Sequence, residues 1–121
     1  MDLSSYIGHL ARETYAAGDT IFSKGDAGTS MYIVVEGEVD VAYDDQRSVR
    51  LGAGESLGEM SLIDQGPRSA TVTAVTDVAL APINQGMFFV LVNDTPYFAL
   101  EVMRSLSNRL RRANQMPAAT E

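Results

Sequence analysis

Ten glycines are spread along the 121 residues, and short segments that favour β-structure lie between them. Short strands separated by turn signals about every 8 to 12 residues are typical of an antiparallel sandwich or barrel. The clearest predicted strands cover residues 20–22, 31–35, 39–43, 48–51, 70–74 and 78–81. This spacing constrains the fold more than any other feature, and it predicts a mainly β domain.

Two polar segments between these strands, residues 36–37 and 44–47, are predicted as hairpin turns. In the strand that joins them, Val39, Val41 and Tyr43 occupy alternate positions. Because successive side chains in a strand point to opposite faces, we expect these three residues to face the interior.

Helical patterns lie at both ends of the chain. Residues 2–10 are predicted as a short leading helix, and Asn84 is a suitable N-cap for an apolar helix over residues 85–92. Thr95 then caps a longer helix in which Pro96 takes the first position, and this helix runs to about residue 114.

The length of the chain suits a single domain, which we place at residues 1–116, and residues 117–121 are predicted to be a disordered tail. Hydrophobic residues make up 45% and charged residues 21%, as in ordinary globular proteins. No apolar run approaches the roughly 20 residues of a membrane span, and no export signal is recognised at the N-terminus. We therefore expect a cytoplasmic protein.

The side chains of several common catalytic centres are missing. The chain has no cysteine and one histidine, His9, which we expect at a helix end or on the surface. Disulfides, thiolate metal sites, and Cys- or His-based triads are therefore excluded, as are multi-histidine metal sites. We expect no metal, no cofactor and no enzymatic activity.

The net charge is −7, and acidic residues dominate the β-rich part. Residues 1–96 carry five basic and fourteen acidic side chains, so this part should repel nucleic acid. The last helix carries a cluster of four arginines, which we interpret mainly as cations that interact favourably with the helix dipole, the alternative being a small patch for a polyanion. They are Arg104, Arg109, Arg111 and Arg112.

A segment from Gly58 onward carries the most informative chemistry. Glu59 and Arg68 stand on the two sides of a predicted tight turn, which Leu62 and Ile63 can fasten to a core. A guanidinium beside free backbone N–H groups suits a phosphate, and a carboxylate suits a sugar hydroxyl that donates to it. Without the surrounding frame, the same two charges would be interpreted as a surface ion pair.

That frame resembles the phosphate-binding cassette of the cyclic nucleotide-binding domain family, which includes catabolite-activator-type regulators, protein kinase A regulatory subunits and cyclic-nucleotide-gated channels. The resemblance implies that Glu59 accepts from the ribose 2′-hydroxyl and that Arg68 holds the cyclic phosphate. It implies further ligand contacts, with Val41 against the base. These further contacts are Val41, Gly58, Met60, Ser61, Ser69 and Ala70.

The resemblance also implies the architecture and the ligand. The expected fold is a jelly-roll-like β-roll (a double-stranded β-helix) with an N-terminal helix, a short cassette helix at residues 59–63 and two C-terminal helices. The expected function is non-catalytic binding of a purine 3′,5′-cyclic nucleotide in signal transduction. Cyclic AMP is favoured over cyclic GMP because Ser69, and not threonine, follows Arg68. We expect Glu59 and Arg68 to serve the ligand and not the core.

A heptad-like apolar seam runs along the last helix and lasts about two heptads. Its members are Ala99, Met103, Leu106, Leu110 and Ala113. The seam predicts a homodimer through this helix, and the alternative is that the same stripe packs on the protein's own barrel.

No helix-turn-helix pattern follows the last helix within the sequence. We therefore expect no DNA binding and no membrane contact by this chain, and an unknown effector protein that acts in trans. A nucleotide buffer and a cassette that has lost its ligand remain open. From another class, the alternative is a nucleotide-independent dimerisation or scaffolding module that keeps the fold.

Overall fold

The computed structural model describes residues 3–8 and 10–114. Within them, eight strands form two antiparallel sheets, and the predictions for His9 and for residues 117–121 lie outside the described part. The strands are β1 Glu13–Tyr15, β2 Thr20–Phe22, β3 Met31–Glu36, β4 Val39–Ala42, β5 Ser48–Leu51, β6 Ser56–Leu57, β7 Thr71–Ala74 and β8 Val78–Ile83.

The first sheet has the order β1-β8-β3-β6 and the second the order β2-β7-β4-β5. All six predicted strands are present, with ends displaced by no more than two residues. The sequence analysis missed β1 and β6, because β1 is a short polar edge strand and β6 has only two residues. The predicted β-roll with flanking helices is confirmed.

One of the two predicted hairpins is wrong. β3 pairs with β6 and β8, whereas β4 pairs with β5 and β7, so residues 36–37 carry the chain from one sheet to the other. The turn at residues 44–47 is confirmed as a hairpin, since β4 and β5 pair with Val41 opposite Val49.

The main core fills the space between the two sheets. Side chains from both sheets meet there, among them Val34 and Leu80 from the first sheet and Val41 and Val72 from the second. Val39 and Val41 are buried as their alternation predicts, while Tyr43 packs at the edge of this core and is partly exposed.

Three α-helices complete the fold: α1 Glu59–Asp64, α2 Gln85–Asp94 and α3 Tyr97–Asn114. Asn84 caps α2 as predicted, accepting from the Met87 N–H at 2.8 Å. Thr95 instead ends α2, because its N–H donates to the Leu91 carbonyl at 2.9 Å. Of the predicted leading helix, the described residues form one 3-10 turn, Leu3–Tyr6.

A second apolar cluster lies between the first sheet and the helices, and it fixes the position of α3. Phe98 and Val102 of α3 pack there against Met31 and Ile83 of the sheet. Leu62 of α1 joins this cluster as predicted, whereas Ile63 is 62% exposed and does not fasten the turn. None of the helices in the described part of the chain has the length and apolar character needed to cross a membrane.

The connection between the two sheets requires a glycine at position 37, where φ is +88°. A β-carbon at this position would lie 2.3 Å from the Asp77 carbonyl oxygen. We therefore expect Gly37→Ala to lower the free energy of unfolding by at least about 1–2 kcal/mol, the cost of a left-handed conformation, as measured by urea denaturation. Gly52→Ala is the matched control, since open space surrounds that position. An equal loss in both variants would contradict this account.

Candidate functional site

A cavity of about 570 Å³ opens between the second sheet, α1 and the C-terminal half of α3. Its size is typical of a small-molecule site. All eight residues that the sequence analysis assigned to a ligand line this one cavity. They are Val41, Gly58, Glu59, Met60, Ser61, Arg68, Ser69 and Ala70.

Glu59 is the first residue of α1 and is only 1% exposed. The preceding glycine is in a left-handed conformation, with φ +77°, and turns the chain from β6 into this helix. Both carboxylate oxygens already have a partner. Oε1 accepts from Arg109 Nη2 at 2.5 Å, and Oε2 accepts from the hydroxyl of Ser56.

Arg109 reaches Glu59 from α3 and is itself buried. Its Nη1 donates to the Ser56 carbonyl at 2.6 Å. Burial alone lowers the pKa of Arg109, but the charge and the hydrogen bond of Glu59 outweigh it, so the pKa is raised. The guanidinium therefore stays charged, and it connects α3 to the wall of the cavity.

Arg68 is 6% exposed and lies on the cavity wall. Its Nη1 donates to the carbonyls of Ser30 at 2.7 Å and Gly58 at 3.3 Å, and its guanidinium carbon lies 4.1 Å from the centre of the Phe22 ring. Its Nε is buried and has no hydrogen-bond partner among the described residues. This buried N–H group therefore lacks a hydrogen bond within the part of the chain that the structure describes.

Gly28 leaves the space that the Arg68 guanidinium occupies. A β-carbon at Gly28 would lie 2.2 Å from Arg68 Nε and 2.4 Å from its guanidinium carbon. The backbone of Arg68 is held separately, since its N–H donates to the Asp26 carbonyl and its carbonyl accepts from Gly25, both at 2.8 Å. The position of the side chain thus depends on a glycine that is forty residues away in the sequence.

The other predicted residues complete the wall in different ways. Ser61 is buried and donates its hydroxyl to the Gly66 carbonyl at 3.1 Å, which closes the loop after α1. Met60 is 46% exposed, at the rim. Ser69 and Ala70 follow Arg68 directly and lead into β7. The cavity thus combines a cation, a carboxylate and an apolar wall, and it suits a ligand with an anionic group and a hydroxyl.

The sequence analysis missed Arg109 as a site residue, and it missed the ion partners of two members of the arginine cluster. Arg109 pairs with Glu59, and Arg112 pairs with Glu55 at 2.7 Å. Arg109 and Arg112 are three residues apart on α3, about one helical turn, whereas Glu55 and Glu59 flank the two-residue strand β6. Only the packing of α3 on the barrel brings the two pairs together.

Tyr43 and Leu110 also line the cavity and were not assigned to it from the sequence. Burial raises the pKa of Tyr43, although the nearby Arg109 lowers it. The phenol therefore stays neutral and can donate a hydrogen bond. Within the described residues, no group of three or more His, Cys, Asp or Glu side chains could hold a metal ion.

Comparison with known proteins shows which family this chain matches. The family model of the cyclic nucleotide-binding domain matches residues 12–95. The chain is 34% identical over 113 residues to the cyclic AMP receptor protein of Thermus thermophilus, covering 89% of this chain and 52% of that protein. It is 42% identical over 93 residues to a cyclic nucleotide-gated potassium channel of Rhizobium etli, covering 77% of this chain and 26% of the channel.

Solved structures give the same result for the fold. The catabolite activator protein of Thermus thermophilus superposes with a TM-score of 0.75 at 32% identity, covering 93% of this chain and 55% of that one. A chain solved in work on a cyclic-GMP-dependent signalling pathway of bacterial phytopathogenesis has a TM-score of 0.75 at 31% identity, with 89% of both chains covered. The chain spans about half the length of the Thermus receptor protein that it matches.

The buried pair at the base of the cavity makes a prediction about stability. Glu59→Ala would leave Arg109 buried without its partner, and breaking a buried ion pair on one side costs about 3–5 kcal/mol. We expect urea denaturation to show a loss of this size. This corrects the expectation that Glu59 serves the ligand alone.

The matched control is Glu38→Ala, which removes half of an exposed ion pair with Arg50 at 3.6 Å. Solvent screens such pairs, so we expect a change within about 0.5 kcal/mol. If Glu59→Ala were as stable as Glu38→Ala, the Glu59–Arg109 pair would not hold α3 on the barrel.

Proposed function

The chain belongs to the cyclic nucleotide-binding domain family, and we propose that it binds a purine 3′,5′-cyclic nucleotide, with cyclic AMP favoured, as a regulatory module without catalytic activity of its own. One observation carries this proposal. The guanidinium of Arg68, whose buried Nε has no partner among the described residues, belongs to a residue that lines the same cavity as Glu59.

The phosphate is the first anchor. Arg68 has its Nη1 fixed by two carbonyls and its plane held over the Phe22 ring, so the guanidinium is already oriented before any ligand arrives. An anionic oxygen at Nε would form a charge-assisted hydrogen bond, which is about twice as strong as a neutral one. Ser69 and Ala70, which the family pattern places in the phosphate cradle, line the same cavity.

The ribose is the second anchor. Each oxygen of Glu59 already accepts one hydrogen bond, and an ionised carboxylate offers about four acceptor positions. The carboxylate can therefore take a further bond from the 2′-hydroxyl while it keeps Arg109. This arrangement favours a ribonucleotide over an anion that lacks a hydroxyl.

The base would lie against Val41 on the second sheet. The family pattern links threonine after the cassette arginine to guanine, and this chain has Ser69 there. The preference for cyclic AMP should be modest, about the worth of one hydrogen bond, 0.5–1.5 kcal/mol or up to roughly tenfold. Cyclic GMP is therefore a second ligand to test.

The regulatory response would run through α3. Arg109 joins this helix to Glu59, so a ligand that moves Glu59 acts on α3 directly. Residues 93–96, which are the end of α2 and the two residues before α3, would serve as the hinge. A ligand shifts such an equilibrium only by its differential affinity for the two positions of the helix.

The output of the module is also a proposal. We assign it a cytoplasmic location, an effector protein in trans and no DNA binding by residues 1–96, where acidic side chains outnumber basic ones by fourteen to five. This chain spans 52% of the Thermus receptor protein and 26% of the Rhizobium channel. A transcriptional or channel activity would require segments other than the part that this chain shares with them.

A homodimer through α3 is supported by the exposure of its seam. Met103 is 56% and Leu110 61% exposed, whereas the face of α3 that packs on the barrel contains Phe98 and Val102. Exposed apolar side chains that follow one helix face are typical of an interaction surface. Both residues also line the cavity, and Ala113 of the same seam packs against the main core, so the barrel-packing alternative stays open.

We expect cyclic AMP to bind and to raise the melting temperature, since a ligand at about one hundred times its Kd adds roughly 2.7 kcal/mol. Arg68→Ala should raise the Kd about 10- to 150-fold, the worth of one charge-assisted hydrogen bond. Calorimetric titration measures the Kd of the wild type and of Arg68→Ala, and thermal denaturation measures the melting temperature. Arg50→Ala, which removes an exposed arginine, is the control.

Gly28→Ala is a more selective test, because it keeps Arg68 and only displaces its guanidinium. The Kd of the Gly28→Ala variant for cyclic AMP should rise by at least about tenfold, while the melting temperature of the ligand-free variant should stay close to that of the wild type. If millimolar cyclic nucleotide gave no thermal shift in the wild type, the binding proposal would fail and the scaffolding module would be favoured.

For the dimer, we expect light scattering of the wild type to report two chains, and Leu110→Asp to give a monomer because it places a charge in an apolar seam. Ile63→Asp is the matched control, since Ile63 is 62% exposed and lies on α1. A monomeric wild type at high concentration would rule out the seam as an interface.

A further inference from the structure

Ser56 is a fully buried residue of β6 whose polar groups all face Glu59 or α3. Its hydroxyl donates to Glu59 Oε2, and its carbonyl accepts from Arg109 Nη1 at 2.6 Å. Its N–H donates to the hydroxyl of Ser105, in the middle of α3, at 3.2 Å. One small side chain thus lies between the carboxylate of the cavity and the last helix.

The bond from Ser56 limits how Glu59 can turn. The last torsion of a glutamate is broad and roughly two-fold, so a carboxylate held at one oxygen can still rotate. Arg109 holds Oε1 and Ser56 holds Oε2, and together they fix the carboxylate plane. Without the serine hydroxyl, Arg109 alone would leave this plane free to rotate.

We propose that Ser56 is a positioning residue that orients the Glu59 carboxylate toward the ribose 2′-hydroxyl, and that it thereby sets the preference for ribonucleotides over 2′-deoxyribonucleotides. This inference rests on the proposed function and adds a residue that the cassette pattern does not contain. Ser56 does not line the cavity among the residues described, so it acts through Glu59 and not on the ligand.

A purely structural role predicts something different. Ser56 also joins β6 to α3 through Ser105, with the two hydroxyl oxygens 3.2 Å apart. If this link alone mattered, removing either hydroxyl would weaken all ligands alike. If the orientation of Glu59 matters, only a ligand with a 2′-hydroxyl is affected.

The test measures the Kd of cyclic AMP and of 2′-deoxy cyclic AMP by calorimetry for the wild type, Ser56→Ala and Ser105→Ala. We expect the wild type to prefer cyclic AMP. In Ser56→Ala the ratio of the two Kd values should shrink, by up to about 12- to 150-fold if the charge-assisted bond from the 2′-hydroxyl to Glu59 is lost entirely. Ser105→Ala, which keeps the bond from Ser56 to Glu59, should retain the wild-type ratio.

Each outcome decides the matter. An unchanged ratio in Ser56→Ala, an equal loss of both ligands, or an equal shrinkage in Ser105→Ala would overturn the assignment. If the wild type binds neither nucleotide, the proposed function itself fails and the assignment fails with it. Should Ser56→Ala not fold, Ser56→Cys takes its place, because a thiol is a weak donor, and Ser56→Thr should keep the wild-type ratio.

Discussion

The buried ion pair between Glu59 and Arg109 joins the wall of the cavity to the last helix, and the position of both depends on it. A buried pair contributes little net stability compared with apolar residues of the same size, but it is costly to break. The side chains are therefore interdependent, because the carboxylate has its orientation only while α3 lies on the barrel. Linkage makes such a coupling reciprocal. If a partner that binds α3 changes the affinity of the cavity for its ligand by some factor, the ligand changes the affinity of α3 for that partner by the same factor.

The two buried arginines of the site have opposite hydrogen-bonding states. Arg109 is satisfied within the protein by Glu59 and by the Ser56 carbonyl. Arg68 is held at Nη1, but its buried Nε has no partner among the described residues. An unsatisfied buried donor costs about 1–3 kcal/mol, and a phosphate oxygen would remove that cost. We therefore expect the loss of Arg109 to lower the stability of the fold, and we propose that Arg68 contributes to the affinity for the ligand.

The sequence predicted the features that local chemistry determines. The glycine spacing indicated a mainly β domain, whereas the family resemblance implied the β-roll and eight residues that the structure brings to one cavity. The turn signal at Gly37 was read as a hairpin because a local pattern does not say which sheet receives the next strand. Arg109 was missed for a related reason, since its partner is fifty residues away and only the docking of α3 brings them together. The exposure of Ile63 likewise follows from how α1 lies on the core, which its apolar sequence does not reveal.

The central claim is that a phosphate oxygen of the ligand accepts a hydrogen bond from Arg68 while a ribose hydroxyl donates one to Glu59. A crystal structure of the complex with cyclic AMP tests this claim most directly. The account predicts a phosphate oxygen about 2.7–2.9 Å from Arg68 Nε. It also predicts the ribose 2′-hydroxyl on Glu59, with the bond from Arg109 retained. A nucleotide bound outside this cavity, or bound in it with Arg68 Nε still without a partner, would contradict the account.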